Sequence, residues 1–160
     1  MKAISKLMLA EISKEQFLKI NDISDIGTEI LDGLDQAYRC HDAKLVDELI
    51  YLIFAFEIFD ITNVDILNEL LISDWHYKHE DIALLLEKIS SLKSMEYLYN
   101  AIKLNLNYLS GDENYAFEIK CVRAIYYIGR EKSRPYLEKL CRHENDVILE
   151  MAKRQISKLM

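Results

Sequence analysis

Apolar residues recur along most of the chain at the three- and four-residue spacing of an α-helix. The segment 43–59 is apolar almost all round, which predicts the central and most buried helix. A helix over 23–40 is predicted before it, with Asp22 or Ser24 as the candidate N-cap, and another over 63–72 after it.

The second half of the chain shows a more regular version of the same pattern. Short links separate its helices and favour antiparallel neighbours. Gly129 is predicted to cap one helix at its C-terminus, and Pro135 suits the first turn of the next. The predicted helices lie at about 82–89, 95–109, 115–128, 135–141 and 148–159. We therefore predict an all-α fold, an α-solenoid of stacked antiparallel helix pairs with about seven to nine helices.

The domain organisation is predicted to be simple. A length of 160 residues suits a single domain, 1–160. Residues 70–160 are repeat-like, whereas 1–69 are interpreted as divergent N-terminal helices that cap the array. Four Gly and one Pro are too few for the many turns of a β-sandwich or barrel.

Hydropathy and cysteine content indicate the compartment. The longest apolar run, 49–56, is much shorter than the roughly 20 residues of a membrane span. The first residues lack the continuous apolar core of a signal peptide. Three Cys without a CxxC pair suggest reduced thiols rather than disulfides. The expected location is cytoplasmic, with no membrane partner.

Acidic residues are concentrated in one part of the chain. Residues 21–90 contain 16 Asp and Glu against 4 Lys and Arg, while the whole chain has a formal net charge of −7. Such a field repels nucleic acid, favours a basic protein partner and predicts fast, electrostatically steered association with it. The alternative is a solvated surface that only maintains solubility. A set of basic residues lies near the C-terminus, but the net negative charge of the chain argues against nucleic-acid binding there. This set comprises Arg130, Lys132, Arg134, Lys139 and Arg142.

The stretch 73–81 is the most unusual in composition. It holds the single Trp and two of the four His, and three interpretations compete for it. His76 and His79, three residues apart, suit a metal site, although the spacing is not that of zinc hydrolases. A helix junction would use Asp74 as N-cap with a packed Trp. An exposed aromatic and acidic contact surface would bind a protein. The predicted partner-binding residues here are Asp74, Trp75, His76, Tyr77 and Glu80.

Further partner-binding candidates lie in the second half. Tyr97 and Tyr127 fall off the apolar stripes and favour an interface, whereas Tyr99 and Tyr126 lie on the stripes and favour the core. An acidic cluster at a turn and the following helix start adds four candidates, for which helix capping is the alternative role: Asp112, Glu113, Tyr115 and Glu118.

Catalytic patterns are not found in the sequence. It has no GxSxG, no glycine-rich phosphate loop and no GxGxxG. Cys121 lies beside Lys120 and Arg123, but its position inside an apolar helix favours an unreactive core thiol. We therefore predict no enzyme activity, no catalytic residue, no metal and no cofactor.

Two segments resemble a known family. LLISDWHYKHEDIALLLEKISSLKSMEYLYNAI, at 70–102, and NYAFEIKCVRAIYYIG, at 114–129, look like bacterial HEAT-repeat proteins. Members of that family occur as immunity proteins beside polymorphic or contact-dependent inhibition toxins. The resemblance implies a protein that binds a toxin domain, often a nuclease with a basic cleft, and occludes its active site.

Two other functions stay open at this point. The chain is a candidate HEAT-like adaptor or scaffold for a different protein, or a HEAT-like lyase acting on a protein-bound substrate. The sequence leaves the identity and activity of the toxin, the binding face, the role of residues 1–69 and the oligomeric state undetermined.

Overall fold

Helices account for the regular structure of the chain. The computed structural model describes residues 2–60 and 64–159, and no strand occurs in these ranges. Short 3₁₀ helices occur at Asn107–Leu109, Arg130–Ser133 and Ser157–Leu159. The α-helices of the described residues are α1 Ile4–Met8, α2 Lys14–Asn21, α3 Ile26–Cys40, α4 Ala43–Phe56, α5 Asp65–Leu71, α6 His79–Ile89, α7 Ser94–Ala101, α8 Ala116–Gly129, α9 Arg134–Leu140 and α10 Asp146–Ile156. The predicted all-α, repeat-like fold is confirmed.

The chain divides into two compact units, 1–58 and 59–160. α5 therefore belongs with the second unit, whereas the sequence placed the change in character at residue 69. The interpretation as one domain stays a prediction, as does the assignment to the HEAT class.

Capping fixes the start of α3 in the first unit. The Asp25 carboxylate accepts hydrogen bonds from the amides of Gly27 at 3.0 Å and Thr28 at 3.3 Å. The prediction of Asp22 or Ser24 as N-cap is wrong, because Asp22 adopts the left-handed conformation that ends α2. An acceptor must sit two or three residues before the amides that it caps, and Asp25 meets that condition.

α3 and α4 form a helical hairpin joined by His41 and Asp42. A Cβ at Gly33 would lie 2.9 Å from Leu49 Cδ1, so the glycine allows close approach of the two helices. α4 has five buried apolar residues, and it ends at Phe56, three residues earlier than predicted, because Glu57 takes a left-handed conformation.

α8 is the central helix of the second unit. It packs against α6, α7, α9 and α10, and its core residues Cys121, Val122 and Ile125 are fully buried. α5 packs against α6 and α7. Among the described residues, no helix combines the length and the apolar content that a bilayer crossing requires.

The end of α7 differs from the prediction of one helix over 95–109. α7 stops at Ala101, and the chain continues through irregular structure into the 3₁₀ helix Asn107–Leu109. The apolar stripe continues through this segment, but Asn105 and Asn107 interrupt it with residues that compete for backbone hydrogen bonds and favour turns.

Gly129 ends α8 for a reason other than the predicted one. Its φ is −89°, and the left-handed residue is instead Arg130, with φ 48°. A Cβ at Gly129 would collide with Met95 Sδ and lie 2.8 Å from Ser133 Cβ. Close packing therefore requires the glycine. Pro135 lies in the first turn of α9, as predicted.

Candidate functional site

Two buried histidines organise the segment between α5 and α6. The His76 ring donates from Nε2 to the Leu70 carbonyl at 2.8 Å and accepts from the Lys78 amide at Nδ1. The His79 ring donates from Nε2 to the Ser73 carbonyl at 2.6 Å. The rings stack with centroids 4.3 Å apart. These partners assign the Nε2–H tautomer to both rings.

The histidines are held in the neutral form. Burial lowers the pKa of His76. Burial, with the neighbouring His76 as the second cause, lowers the pKa of His79 to about 4. Within the described ranges, no group of three or more His, Cys, Asp or Glu side chains is arranged to hold a metal ion.

Two of the predicted roles at this junction need correction. His76 is fully buried, so it does not offer the exposed contact expected of a partner-binding residue. Asp74 is exposed but does not cap α6, because the helix begins at His79 with Lys78 as the N-cap residue. Trp75 is half-buried and meets the His76 ring edge-on, with centroids 5.2 Å apart.

The buried pair supports an exposed pair of tyrosines. The Tyr108 hydroxyl lies 2.9 Å from His79 Nδ1 and donates to it in the assigned tautomer. Tyr77, 70% exposed, meets the Tyr108 ring at 90°, with centroids 5.3 Å apart. Burial, with contributions from nearby carboxylates such as Glu80, raises the pKa of Tyr108 to about 12, so the hydroxyl remains a proton donor.

The start of α8 completes this surface. The Asp112 carboxylate accepts hydrogen bonds from the amides of Asn114 and Ala116, both at 2.9 Å. Tyr115, between them, has φ 52° and lies in the left-handed region that non-glycine residues rarely adopt. The capping alternative therefore holds for Asp112, which ties the turn to the first residue of the helix.

A cleft of about 270 Å³ opens beside this turn. Its lining combines apolar and acidic groups: Leu104, Asn105, Leu106, Leu109, Ser110, Asp112, Tyr115 and Glu118. Burial, together with the charges of Asp112 and Glu80, raises the pKa of Glu118. We refer to Tyr77, Tyr108, Asp112, Tyr115 and Glu118 as the Tyr108 surface.

Several acidic side chains near this surface are already paired. Lys120 Nζ lies 2.6 Å from Glu80 Oε2, and both side chains are about one-third exposed. Lys78 lies 3.2 Å from Asp81. Glu80, predicted as a partner contact, therefore joins α6 to α8, and the open negative charge is smaller than the residue count suggests. Glu113 is exposed at the turn.

The two remaining predicted tyrosines have other neighbours. The Tyr97 hydroxyl donates to Glu69 Oε1 at 3.1 Å, which connects α7 with α5. Tyr127, 38% exposed, lies against Tyr126 and has the Arg130 guanidinium 5.3 Å from its ring centroid.

The sequence interpretation did not select Tyr108 as a site residue. It lies in a short 3₁₀ helix within a segment that was predicted to continue an α-helix, so the predicted position gave no indication of its contact with His79. No protein-family model, curated protein or solved structure matches this chain. Its own geometry and charge are therefore the basis for a functional proposal.

Proposed function

We propose that the chain is a binding protein without catalytic activity and that the Tyr108 surface docks a basic protein domain. The observation that carries the proposal is the exposed Tyr77–Tyr108 pair, supported from below by the buried His79 and placed beside an acidic cleft. Exposed, well-supported aromatic side chains are the usual energetic centres of protein interfaces.

Preorganisation supports this role. Tyr108 is anchored through its hydroxyl to His79, whose ring is in turn bound to the Ser73 carbonyl. An anchored ring loses little further freedom when a partner covers it, which lowers the entropic cost of binding. Tyr77 then contributes most of the new contact area, because it is the more exposed of the two tyrosines.

The charge of the cleft favours a cationic partner. Among residues 64–159, no Lys or Arg lies within ion-pair distance of the half-buried Glu118 carboxylate, and Asp112 adds negative charge near it, whereas the nearby Glu80 is paired with Lys120. A Lys or Arg from a partner would compensate this charge where solvent screening is reduced. Glu118 is therefore the acidic residue expected to contribute most to affinity.

The biological role that we propose is neutralisation of a cognate bacterial toxin in the cytoplasm. Covering the basic cleft of a nuclease would occlude its active site, and an acidic, aromatic surface is complementary to such a cleft. The resemblance of 70–102 and 114–129 to HEAT-repeat immunity proteins is the second support. A scaffold that binds a different basic protein is the alternative.

The test is co-expression of the tagged chain with the product of the neighbouring gene. Tyr77→Ala is expected to weaken the complex at least about 30-fold, the effect of a typical hot-spot residue, without changing thermal unfolding. Glu118→Gln is expected to weaken it about tenfold. Tyr127→Ala is the matched control, since it removes an exposed tyrosine with different neighbours, and should change affinity less than threefold.

A growth assay separates the two roles. Protection of cells from the induced neighbouring toxin, lost in Tyr77→Ala, supports neutralisation. Binding without protection favours the scaffold. Absence of a complex, or equal effects of Tyr77→Ala and Tyr127→Ala, contradicts the proposal.

A further inference from the structure

A second concave surface lies in the first unit, between α3 and α4. It encloses about 340 Å³ and is lined by Glu29, Asp32, Gly33, Gln36, Leu45 and Leu49. It shares no residue with the Tyr108 surface, and none of its residues was among the predicted sites.

The floor of this groove is apolar because of Gly33. Leu49 fills the space that a side chain at this position would occupy, because its Cδ1 lies 2.9 Å from where a Cβ at Gly33 would be. Leu49 is 1% exposed, while Leu45 remains half-buried at the edge of the groove. The accessible apolar surface of the floor is therefore a narrow strip at Gly33 and Leu45, which suits an unbranched methylene chain.

The rim of the groove carries uncompensated negative charge. Glu29 and Asp32, three residues apart on one helical face, are both exposed, and neither has an ion-pair partner among residues 2–60. The nearby Asp35 differs, because Arg39 lies 2.7 Å from its carboxylate. Gln36 extends the rim with an uncharged amide. Positive charge is thus missing from the α3 residues that line the groove.

We propose that this groove binds a lysine or arginine side chain from a basic protein segment. The methylene stem would lie on Gly33 and Leu45, and the cationic head would reach the carboxylates of Glu29 and Asp32. The combination selects for a long cationic side chain: the floor stabilises the stem by burial, and the rim stabilises the head through charge-assisted hydrogen bonds. The inference relies on the proposed function only for the basic character of the segment.

The probe is an acetylated and amidated peptide of alternating alanine and lysine, titrated into the ¹⁵N-labelled full chain at pH 6 and low salt. Its partner probe replaces each lysine by 2,4-diaminobutyrate, which keeps the ammonium group and removes two methylenes. We expect shifts in the amides of residues 29–36 and 45–49, and at least about threefold tighter binding of the lysine peptide, because the shorter stem buries less apolar surface.

Two double variants test the rim, and each of them removes two negative charges, so that they change the net charge of the chain equally. Glu29→Gln with Asp32→Asn is expected to reduce the shifts at the groove and weaken binding there at least about fivefold. Glu11→Gln with Glu15→Gln, both exposed in the same unit, is the control and should leave the groove shifts in place. Equal affinity for the two peptides, or equal loss with the two variant pairs, overturns the proposal.

The Tyr108 surface is tested separately by the same spectra. Tyr77→Ala should leave the shifts at residues 29–36 unchanged, since that residue is not part of the groove. The groove inference therefore fails or stands independently of the complex with the neighbouring gene product.

Discussion

Mild acid is expected to destabilise residues 59–160 through His79. Its ring is buried, stacked on His76, and donates to the Ser73 carbonyl while accepting from Tyr108. A protonated His79 would lose the acceptor at Nδ1 and would place a cation against a second imidazole. The folded protein therefore resists protonation of a group that protonates freely once unfolded.

The sign and size of the effect follow from the two pKa values. The pKa of His79 is about 4 in the folded state against 6.5 as the ordinary value. Between these values the unfolded state binds more protons, so the free energy of unfolding falls as the pH falls. At pH 5.5, one unit below the ordinary value, the loss relative to pH 7.5 is about 1.4 kcal/mol. His76, whose pKa is also lowered, adds a loss of the same sign.

Urea unfolding followed by the fluorescence of Trp75 measures this effect. Trp75 is the single tryptophan and lies against His76, so it reports on the unit that contains His79. Replacing His79 by Gln should lower stability at pH 7.5 but reduce the difference between pH 7.5 and 5.5 by about 1.4 kcal/mol. His41→Gln, in the first unit, is the control and should keep the full difference. The raised pKa of Glu118 has the opposite effect on the free energy of unfolding, because the folded state binds this proton more readily as the pH falls. A lower limit of pH 5.5 is chosen to keep this contribution small. A His79→Gln protein with an unchanged pH difference would refute the assignment.

Three further predictions concern packing and capping in the second unit, all measured by urea unfolding with tryptophan fluorescence. Gly129→Ala should lower the free energy of unfolding by about 2 kcal/mol through the collision with Met95 Sδ and Ser133 Cβ, whereas Gly111→Ala, with nothing within 4 Å of its Cβ, should change it little. Asn68→Leu should raise stability by about 1 kcal/mol, because both amide atoms of the buried Asn68 lack a hydrogen-bond partner among the described residues. Asp112→Ala should lower the free energy of unfolding by about 1 kcal/mol, because the amides of Asn114 and Ala116 lose their acceptors, and Asp112→Asn should recover only part of this loss, because its one amide oxygen replaces two carboxylate oxygens.

The sequence predicted the helices best where periodicity and capping agree. The start of α4 at Ala43 and the place of Pro135 in α9 match, because a side-chain cap and a fixed proline φ act locally. α7 was predicted eight residues too long, since apolar spacing continued through a segment that the structure shows as a loop and a 3₁₀ helix. Periodicity alone does not register the preference of two asparagines for turns.

The candidate site was less predictable, because its geometry depends on contacts between distant parts of the chain. The stretch 73–81 was rightly singled out by composition, yet the burial of His76 depends on the carbonyl of Leu70 and on the ring of His79. Tyr108 reaches His79 from 29 positions away. Spacing rules describe residues that are neighbours on one helix and do not predict contacts between residues that lie far apart in the sequence.

Ion pairing changes the expected mode of binding. The count of acidic residues predicted strong electrostatic steering, but Glu80, Asp81 and Glu87 each lie within 4.0 Å of a Lys or Arg nitrogen. Paired charges contribute little to the long-range field that accelerates association, whereas short-range aromatic contact governs dissociation. If the Tyr108 surface is the binding site, Tyr77→Ala should act mainly on the dissociation rate of the complex, and added salt should slow association less than the charge of residues 21–90 implies.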